Sequence, residues 1–293
     1  MAIIDGKLLS EQIKTELAEE VKTLRERDHK IPHLAAVLVG DDPASLVYVR
    51  NKVKSCEQIG FKSTLIRKNA NISESDLLKI VADLNKDKSI DGFIVQMPLP
   101  NHIDQSKVTL SIDPSKDVDG FHPENFGRMA QGLPCYLPAT PYGIIQMIER
   151  YQITTEGKLC VVVGRSNIVG TPISLLLSRK TYPGNCTVTM THSRTRDLAG
   201  EIRRADIIIA AIGIPQFIKA DMVKMGAVVI DVGINRIDDV TRKKGYNLVG
   251  DVHYEEVAPK CSYITPGPGG VGPMTVTSLL MNTLKSCRKE IYG

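Results

Sequence analysis

Lys52 is the residue of this chain whose position best suits acid–base chemistry. It lies in SLVYVRNKVKSCEQIG, residues 45–60, which has the pattern of a helix. At about 100° per residue, the apolar positions of this helix form one stripe: Leu46, Val49, Val53, Cys56 and Gly60. Lys52 falls beside Tyr48 and Ile59 on the flank of that stripe, away from the other cations. A lysine there either snorkels to water or keeps a desolvated amine that can act as a base.

Two further polar groups stand where a cleft is expected. Gln96 ends the apolar run GFIVQ, at the end of a predicted parallel strand, although a glutamine there can also simply cap loop backbone. The stretch PSKDVDGFHP, residues 114–123, contains Asp117 and Asp119 beside a glycine. Such a stretch also fits a turn or a cation site. Because no acidic cluster surrounds it, we expect no metal, and His122 is left without a role.

The segment CVVVGRSNIVGTP, residues 160–172, resembles a phosphate-binding turn between a strand and a helix. Gly164 and Gly170 fit the dinucleotide pattern G-x-G-x-x-G, but Ser166 replaces the middle glycine. Serine is small, its hydroxyl can donate to a phosphate oxygen, and a helix N-terminus offers N–H groups to an anion. The sequence therefore predicts a dinucleotide site, with an ordinary glycine turn as the alternative.

Charge near the next predicted strand indicates which dinucleotide is bound. NAD sites place an acidic residue near the end of that strand, whereas NADP sites need positive charge for the 2′-phosphate. Here the strand ends in THSRT, residues 191–195, with no carboxylate before Asp197. Arg165, Ser193 and Arg194 therefore favour NADP, unless the two arginines are ordinary surface cations.

Two successive α/β alternations must position these residues. In the first half we predict helices at 7–28, 45–60 and 73–85, and strands at 34–40, 62–67 and 92–96. Residues 98–141, rich in proline and glycine, are expected to be loops near a cleft. In the second half we predict strands at 159–163, 186–191, 207–212 and 227–232. Helices are predicted at 141–151, 168–179 and 197–204. A loop at 266–273 and a final helix to residue 290 complete the prediction. Strands alternating with helices indicate parallel α/β sheets.

The composition of the chain limits the number of domains and the kinds of partner. A chain of 293 residues, 42% hydrophobic, is long for one core and comfortable for two domains. The net charge of +4, with no tryptophan and no basic tract, predicts no nucleic-acid partner. None of the six cysteines forms a C-x-x-C pair, so buried reduced thiols are expected. Neither a signal peptide nor a bilayer-spanning stretch is evident, so we expect a cytoplasmic protein without a membrane partner.

Taken together, these motifs resemble the bifunctional methylenetetrahydrofolate dehydrogenase/cyclohydrolase family. Each motif alone is weak, but the ordered set is specific and covers nearly the whole chain. The resemblance is carried by VGDDPAS at 39–45, Tyr48-x-x-x-Lys52, VQMPLP at 95–100, DVDG at 117–120, GRS-x-IVG at 164–170 and PGGVGPMT at 268–275. The phosphate turn of this family reads G-R-S, which accounts for the missing glycine.

The resemblance implies an α/β fold of two domains with folate in an interdomain cleft. Residues 1–140 and 273–293 would form an N-terminal three-layer α/β catalytic domain that binds folate, and 141–272 a Rossmann-type NADP-binding domain. The activity implied is oxidation of 5,10-methylenetetrahydrofolate to the methenyl compound, followed by hydrolysis to 10-formyltetrahydrofolate. A homodimer is also implied.

The resemblance also assigns roles to residues. Lys52 would be the catalytic residue, held by Gln96, with Asp119 anchoring the pterin ring and Tyr48 lining the pocket. The cofactor-binding set would be Gly164, Arg165, Ser166, Ile168, Ser193, Arg194 and Ile234, with Arg165 and Ser193 at the 2′-phosphate. The substrate would also meet the nicotinamide at a loop of Pro268, Gly269 and Gly270. Ala139 stands where the family often has cysteine, so no catalytic thiol is predicted there.

Two alternatives stay open at this point. A two-domain NADP dehydrogenase of the shikimate dehydrogenase type would oxidise an alcohol and need a proton acceptor, but it gives no reason for Gln96 together with PGPGGVGP. A catalytically silent NADP-binding sensor or structural partner is the second alternative, against which the intact Lys52, Gln96 and Asp119 argue.

Overall fold

The computed structural model describes residues 1–242 and 245–292 and divides the chain into two compact units. The first unit, as we name it, comprises Glu11–Ala139 and the chain from Val276 onwards, and the second unit comprises Met1–Ser10 and Thr140–Thr275. The first ten residues, expected in the domain of Lys52, thus group with the second unit. The reason is that the short first strand pairs with a strand near the end of the chain.

The elements follow the predicted alternation. The strands are β1 Ala2–Ile3, β2 His33–Val39, β3 Lys62–Lys68, β4 Gly92–Val95, β5 Leu159–Val163, β6 Thr187–Thr191, β7 Ile207–Ala210, β8 Ala227–Asp231, β9 Asn235–Asp238, β10 Tyr246–Val249 and β11 Cys261–Ile264. The helices are α1 Gly6–Glu26, α2 Pro43–Ile59, α3 Glu74–Lys86, α4 Gln105–Ser111, α5 Pro123–Gln131, α6 Ala139–Arg150, α7 Gly170–Ser178, α8 Leu198–Arg204, α9 Tyr254–Val257 and α10 Val271–Cys287. Short 3₁₀ turns lie at Pro114–Lys116, Ala220–Met222 and Ala258–Lys260.

The first unit is built on a three-stranded parallel sheet in the order β3-β2-β4. The central strand β2, HLAAVLV, is apolar and buried from Leu34 to Val39, as expected for a parallel strand that is covered on both faces. Its core is formed by strand residues together with α3, α4 and the loop between β4 and α4: Ala35, Val37, Phe93, Val95, Leu77, Val81, Leu84, Leu99, Ile103 and Val108. The carboxyl ends of parallel strands lie at the same edge of a sheet. Gln96 directly follows β4 and therefore lies at the carboxyl edge of this sheet.

The second unit is built on a six-stranded sheet in the order β1-β11-β8-β7-β5-β6, with parallel pairing throughout. After β5 the chain adds β6 on one side of that strand and then β7 on its other side. The sheet is therefore doubly wound, and the direction in which strands are added reverses at β5. The crevice at the carboxyl ends of strands beside such a switch is where α/β sheets bind ligands. This fold confirms the predicted parallel α/β class.

Several elements were missing from the sequence-based prediction. The region expected to be loops contains α4 and α5, and the strands β1, β9, β10 and β11 were not anticipated. The pair β9–β10 is an antiparallel ribbon outside the main sheet. Within residues 1–242 and 245–292, no helix is both long enough and apolar enough to cross a lipid bilayer.

Candidate active site

Lys52 lies on the central line of the buried face of α2. The helix begins at Pro43, where the carboxylate of Asp42 accepts from the backbone N–H of Ser45 at 2.8 Å. The buried positions of α2 include Ser45, Val49, Lys52, Ser55, Cys56 and Ile59, whereas Leu46 and Val53 of the predicted stripe are only half-buried. The flank position predicted for Lys52 was therefore wrong: its side chain belongs to the buried stripe itself, and the residue is 7% exposed.

Gln96 is the hydrogen-bond partner of this lysine. The Lys52 Nζ donates to Gln96 Oε1 at 3.2 Å. The Gln96 amide nitrogen donates in turn to the carbonyl of Met97 at 2.8 Å, which turns the amide oxygen towards the lysine. The backbone of Gln96 continues the ladder of β4 by donating to Val37. The predicted pairing of Lys52 with Gln96 is thus present in the structure.

Burial sets the protonation of this site. Burial lowers the pKa of Lys52, while the nearby negative charge of Asp119 raises it. Burial likewise raises the pKa of Asp119, and the lysine lowers it. One turn before Lys52, Tyr48 is 37% exposed, and partial burial raises the pKa of its phenol. The site therefore combines a protonated phenol, a carboxyl group and an amine whose charged form is disfavoured.

Asp117 and His122 build the loop that carries Asp119. The Asp117 carboxylate accepts from the backbone of Phe121 and His122, at 3.3 and 2.8 Å, and from the side chain of Asn125 at 3.0 Å. Burial raises the pKa of Asp117 to about 7. His122 caps α5, because its Nδ1 accepts from a backbone N–H of the first turn. Both residues are structural, and within the described chain no His, Cys, Asp and Glu side chains cluster as metal ligands.

The glycine–serine turn after β5 has the close packing that a dinucleotide turn requires. Gly164 has φ +126°, and a Cβ added to it would lie 2.2 Å from the carbonyl oxygen of Ala211. A Cβ added to Gly170 would lie 2.3 Å from the carbonyl oxygen of Gly164. The Ser166 hydroxyl oxygen accepts from the N–H groups of Val169 and Gly170 at 3.2 and 3.4 Å. The prediction that the helix N-terminus offers free N–H groups to an anion was therefore wrong for these two groups, but the serine O–H can donate outwards.

The predicted 2′-phosphate residues lie at the same sheet edge as this turn. Strand β6 pairs in parallel with β5, so the turn after β6 adjoins the turn after β5. In the turn after β6, His192 Nδ1 accepts from the backbone N–H of Arg194, and the His192 N–H donates to Thr195. The side chains of Arg165, Ser193 and Arg194 are exposed.

The predicted loop from Pro268 to Gly270 is tightly held within the second unit. The Gly267–Pro268 peptide bond is cis, and Gly269 has φ +106°. The Gly269 carbonyl accepts from the N–H of Lys7 at 3.0 Å. Two further residues of the predicted cofactor-binding set, Ile168 and Ile234, are 54% and 49% exposed, and the side chain of Ile234 lies close to Gly272.

Two buried carboxylates at the carboxyl edge of the second sheet were missed. Asp231 ends the apolar strand AVVID, and Asp251 follows β10. They are 7% and 0% exposed, and burial raises the pKa of Asp231 to about 6. The available signal was an acidic residue at the end of an otherwise apolar strand.

The fold and these side chains define a class: a two-unit α/β protein whose second unit carries a dinucleotide-type turn and whose first unit holds a buried lysine. Two family models match the chain. The catalytic-domain model of tetrahydrofolate dehydrogenase/cyclohydrolase matches residues 4–119, and the NAD(P)-binding-domain model of the same family matches residues 138–291. The chain belongs to the tetrahydrofolate dehydrogenase/cyclohydrolase family.

Individual relatives agree with this assignment over their whole lengths. The bifunctional protein FolD of Cytophaga hutchinsonii is 62% identical, covering 98% of this chain and 99% of that protein. The FolD of Phocaeicola vulgatus is 59% identical, with both chains fully covered. The crystal structure of the bifunctional FolD of Campylobacter jejuni has 46% identity and a TM-score of 0.93, covering 99% of each chain. The FolD of Trypanosoma brucei, complexed with NADP cofactor and inhibitor, has 35% identity and a TM-score of 0.94, covering 100% of this chain and 99% of that one.

Proposed function

We propose that this chain oxidises 5,10-methylenetetrahydrofolate with NADP⁺ and then hydrolyses the methenyl product to 10-formyltetrahydrofolate, with Lys52 as the central catalytic residue. Both activities are those of the family to which the chain belongs. The observation that carries the proposal for Lys52 is its burial, at 7% exposure, with Nζ held 3.2 Å from Gln96 Oε1.

The oxidation needs positioning more than acid–base chemistry. NADP⁺ supplies the hydride acceptor, and loss of hydride from the methylene carbon leaves a methenyl cation stabilised by the adjacent nitrogens. Because no proton leaves in this step, the protein must chiefly fix the substrate in a reactive orientation. We assign that task to Asp119, as the carboxyl group that holds the pterin ring, and to Tyr48, as part of the pocket wall.

The hydrolysis requires a base. Water adds to the methenyl carbon, the bond from that carbon to N5 breaks, and one proton is released overall. A neutral amine at Lys52 can take one proton from the attacking water and return it to N5 as the ring opens. The second water proton leaves the hydroxyl oxygen for solvent as that oxygen becomes the formyl carbonyl. The lowered pKa of Lys52 favours the neutral amine, and Gln96 fixes the direction of the amine.

The turn after β5 suits NADP. Gly164 and Gly170 allow the close backbone approach, and Ser166 can donate its hydroxyl to a phosphate. We assign the 2′-phosphate to Arg165, Ser193 and Arg194, whose exposed side chains lie in the turns after two adjacent strands. Ile168 and Ile234 would supply apolar contacts. The loop of Pro268, Gly269 and Gly270 is assigned to the nicotinamide and the folate.

One absorbance experiment tests the proposal. Purified protein is mixed with methylenetetrahydrofolate and NADP⁺, and NADPH and the methenyl compound are followed together, with NAD⁺ as a parallel reaction. NADPH should rise while methenyl decays faster than in buffer. Accumulating methenyl would contradict the role of Lys52 in hydrolysis. No NADPH with either dinucleotide would contradict the proposed oxidation.

We propose two further properties that follow the family resemblance, a homodimeric assembly and a cytoplasmic location. Light scattering coupled to size exclusion checks the assembly: a mass near twice 32.2 kDa supports the dimer, and a monomer contradicts it. Fractionation of cells that express the chain checks the location.

A further inference from the structure

Asp251 bonds two loops at the carboxyl edge of the second unit's sheet. Its Oδ2 accepts from the backbone N–H groups of Ile212 and Gly213, at 2.7 and 3.0 Å. Its Oδ1 accepts from the side-chain amide of Asn235 at 2.8 Å. Ile212 and Gly213 follow β7, and Asn235 follows the end of the adjacent strand β8. The side chain of this fully buried residue therefore joins the connections that leave two neighbouring strands.

Asp231 fixes the position of Asp251. Its Oδ1 accepts from the backbone N–H groups of Asp251 and Gly233, both at 2.9 Å, and its Oδ2 from Val252 at 3.0 Å. The packing around the two carboxylates leaves no spare room. A Cβ added to Gly233 would lie 2.3 Å from Asp251 Oδ1, and one added to Gly250 would lie 1.8 Å from Asp231 Oδ2. These carboxylates and backbone groups therefore form a buried, closely packed hydrogen-bond network.

The loops that Asp251 holds flank the dinucleotide turn. The carbonyl of Ala211, directly before Ile212, is the group against which Gly164 packs. Strands β5 and β7 are neighbours at the switch point of the doubly wound sheet, where ligands of such sheets bind. On the other side, Asn235 directly follows the exposed Ile234. A shift of either loop would therefore alter the walls of the proposed cofactor site.

We propose that Asp251 is a positioning residue for the dinucleotide, which sets the Ile212–Gly213 turn and the segment carrying Ile234 in the geometry that binds NADP. The inference rests on the proposed function. A carboxylate has acceptors on both oxygens, so Asp251 bonds all three donors at once. An amide in its place keeps the shape but turns one acceptor into a donor that faces the Asn235 amide.

The test is a reciprocal exchange of carboxylate and amide. For Asp251→Asn we expect the Kd of NADP⁺, measured by titration calorimetry, to rise about tenfold, the loss of one strong hydrogen bond. Hydrolysis of the methenyl compound needs no dinucleotide and should change by less than about twofold. Asn235→Asp alone should also weaken binding, because two carboxylates then face each other. The double variant Asn235→Asp/Asp251→Asn restores a donor facing a carboxylate and should recover most of the affinity.

Asp206 supplies a matched control at the opposite edge of the same sheet. Its carboxylate accepts from the backbone N–H of Leu159 at 2.8 Å and from Lys224 at 2.6 Å. Asp206→Asn should lower stability and leave the Kd of NADP⁺ unchanged. An equal rise of the Kd in this control, an unchanged Kd in Asp251→Asn, or no recovery in the double variant would overturn the inference.

A second variant and the binding of the wild-type protein separate the possible outcomes. Where Asp251→Asn does not fold, Asn235→Ala removes one donor from a half-buried position and should raise the Kd about threefold, the lower range for one hydrogen bond. An unchanged Kd in that variant overturns the inference as well. A wild-type protein that does not bind NADP⁺ contradicts the proposed function itself. Wild-type binding with unaffected variants contradicts only the role of Asp251.

Discussion

At the scale of single residues, Lys52 and Lys54 show how burial decides chemistry. The two lysines are two positions apart on α2, yet Lys52 is buried and Lys54 is exposed. Removing an ammonium group from water disfavours its charged form, so burial lowers the pKa of Lys52. Residue type and helical spacing sufficed to separate Lys52 from the other cations, whereas its full burial depends on packing that spacing does not contain.

Lys52→Gln should abolish most of the hydrolase activity. The glutamine side chain cannot take up a proton, and loss of a general base costs about 10²–10⁴-fold in rate. The decay of methenyl absorbance measures this rate directly. Lys54→Gln is the matched control on the outer face of the same helix, and it should keep the wild-type rate. Hydrolysis at full rate in Lys52→Gln would contradict the assigned role.

The pH profile of hydrolysis should reveal the charge of Asp119. With the neutral amine of Lys52 as the proposed base, the rate constant should rise as pH increases through the pKa of Lys52, with a midpoint below the ordinary lysine value of 10.5. The negative charge of Asp119 raises that pKa. Asp119→Asn removes the charge, so the midpoint should move to lower pH, after subtraction of the rate in buffer. A midpoint that moves upwards would show that Asp119 does not act on Lys52 in this way.

At the scale of elements, local pattern predicted most of the helices and strands. The strands β2 to β8 and the helices α1 to α3 are apolar or amphipathic runs bounded by caps and glycines, which are local signals. The elements α4 and α5 lie among prolines and glycines and are stabilised by caps, Asp104 on α4 and His122 on α5. The two-residue strand β1 exists only because it pairs with β11, some 260 positions later. Such an element has no local signal.

The start of α7 should be intolerant of any side chain at Gly170. Gly170→Ala would place a Cβ 2.3 Å from the Gly164 carbonyl oxygen, so the turn after β5 must shift. We expect weaker NADP⁺ binding and a loss of about 1–3 kcal/mol in the free energy of unfolding, as for other overpacked sites. Titration calorimetry and urea unfolding measure the two effects.

Gly127 is the matched control for this substitution, because it lies within α5 and a Cβ added there meets no heavy atom within 4 Å. Gly127→Ala should leave NADP⁺ binding unchanged and should stabilise the protein by up to about 1 kcal/mol through helix propensity. Tight NADP⁺ binding in Gly170→Ala would mean that the turn after β5 does not hold the dinucleotide.

At the scale of the whole molecule, the end of the chain completes the first unit. The helix α10 buries an unusual number of polar side chains, among them Thr277, Ser278, Asn282 and Thr283, each fully buried. Asn282 donates to the carbonyls of Val118 and Leu137, both at 2.9 Å, across 164 and 145 positions of sequence. Helical periodicity predicts α10 but gives no sign of these partners, because hydrogen bonds of such range depend on the completed fold. For the same reason the sequence indicated Asp119 as a site residue but did not indicate Asn282, whose side chain bonds the backbone next to it.

Asn282→Ala should therefore affect both stability and folate binding. It leaves the buried carbonyl of Val118 and the partly buried carbonyl of Leu137 without this donor, so we expect the free energy of unfolding in urea to fall by about 2–3 kcal/mol. Val118 directly precedes Asp119, so the KM for the folate substrate should rise in both reactions while the Kd of NADP⁺ stays constant. Asn85 is the matched control, since it bridges Ser111 and Asp113, ahead of the 3₁₀ turn that precedes that loop, at 2.7 and 2.9 Å, and does not contact Val118 or Leu137 in these bonds. Asn85→Ala should lower stability without raising the KM, and an equal rise in both variants would show that Asn282 supports the fold alone.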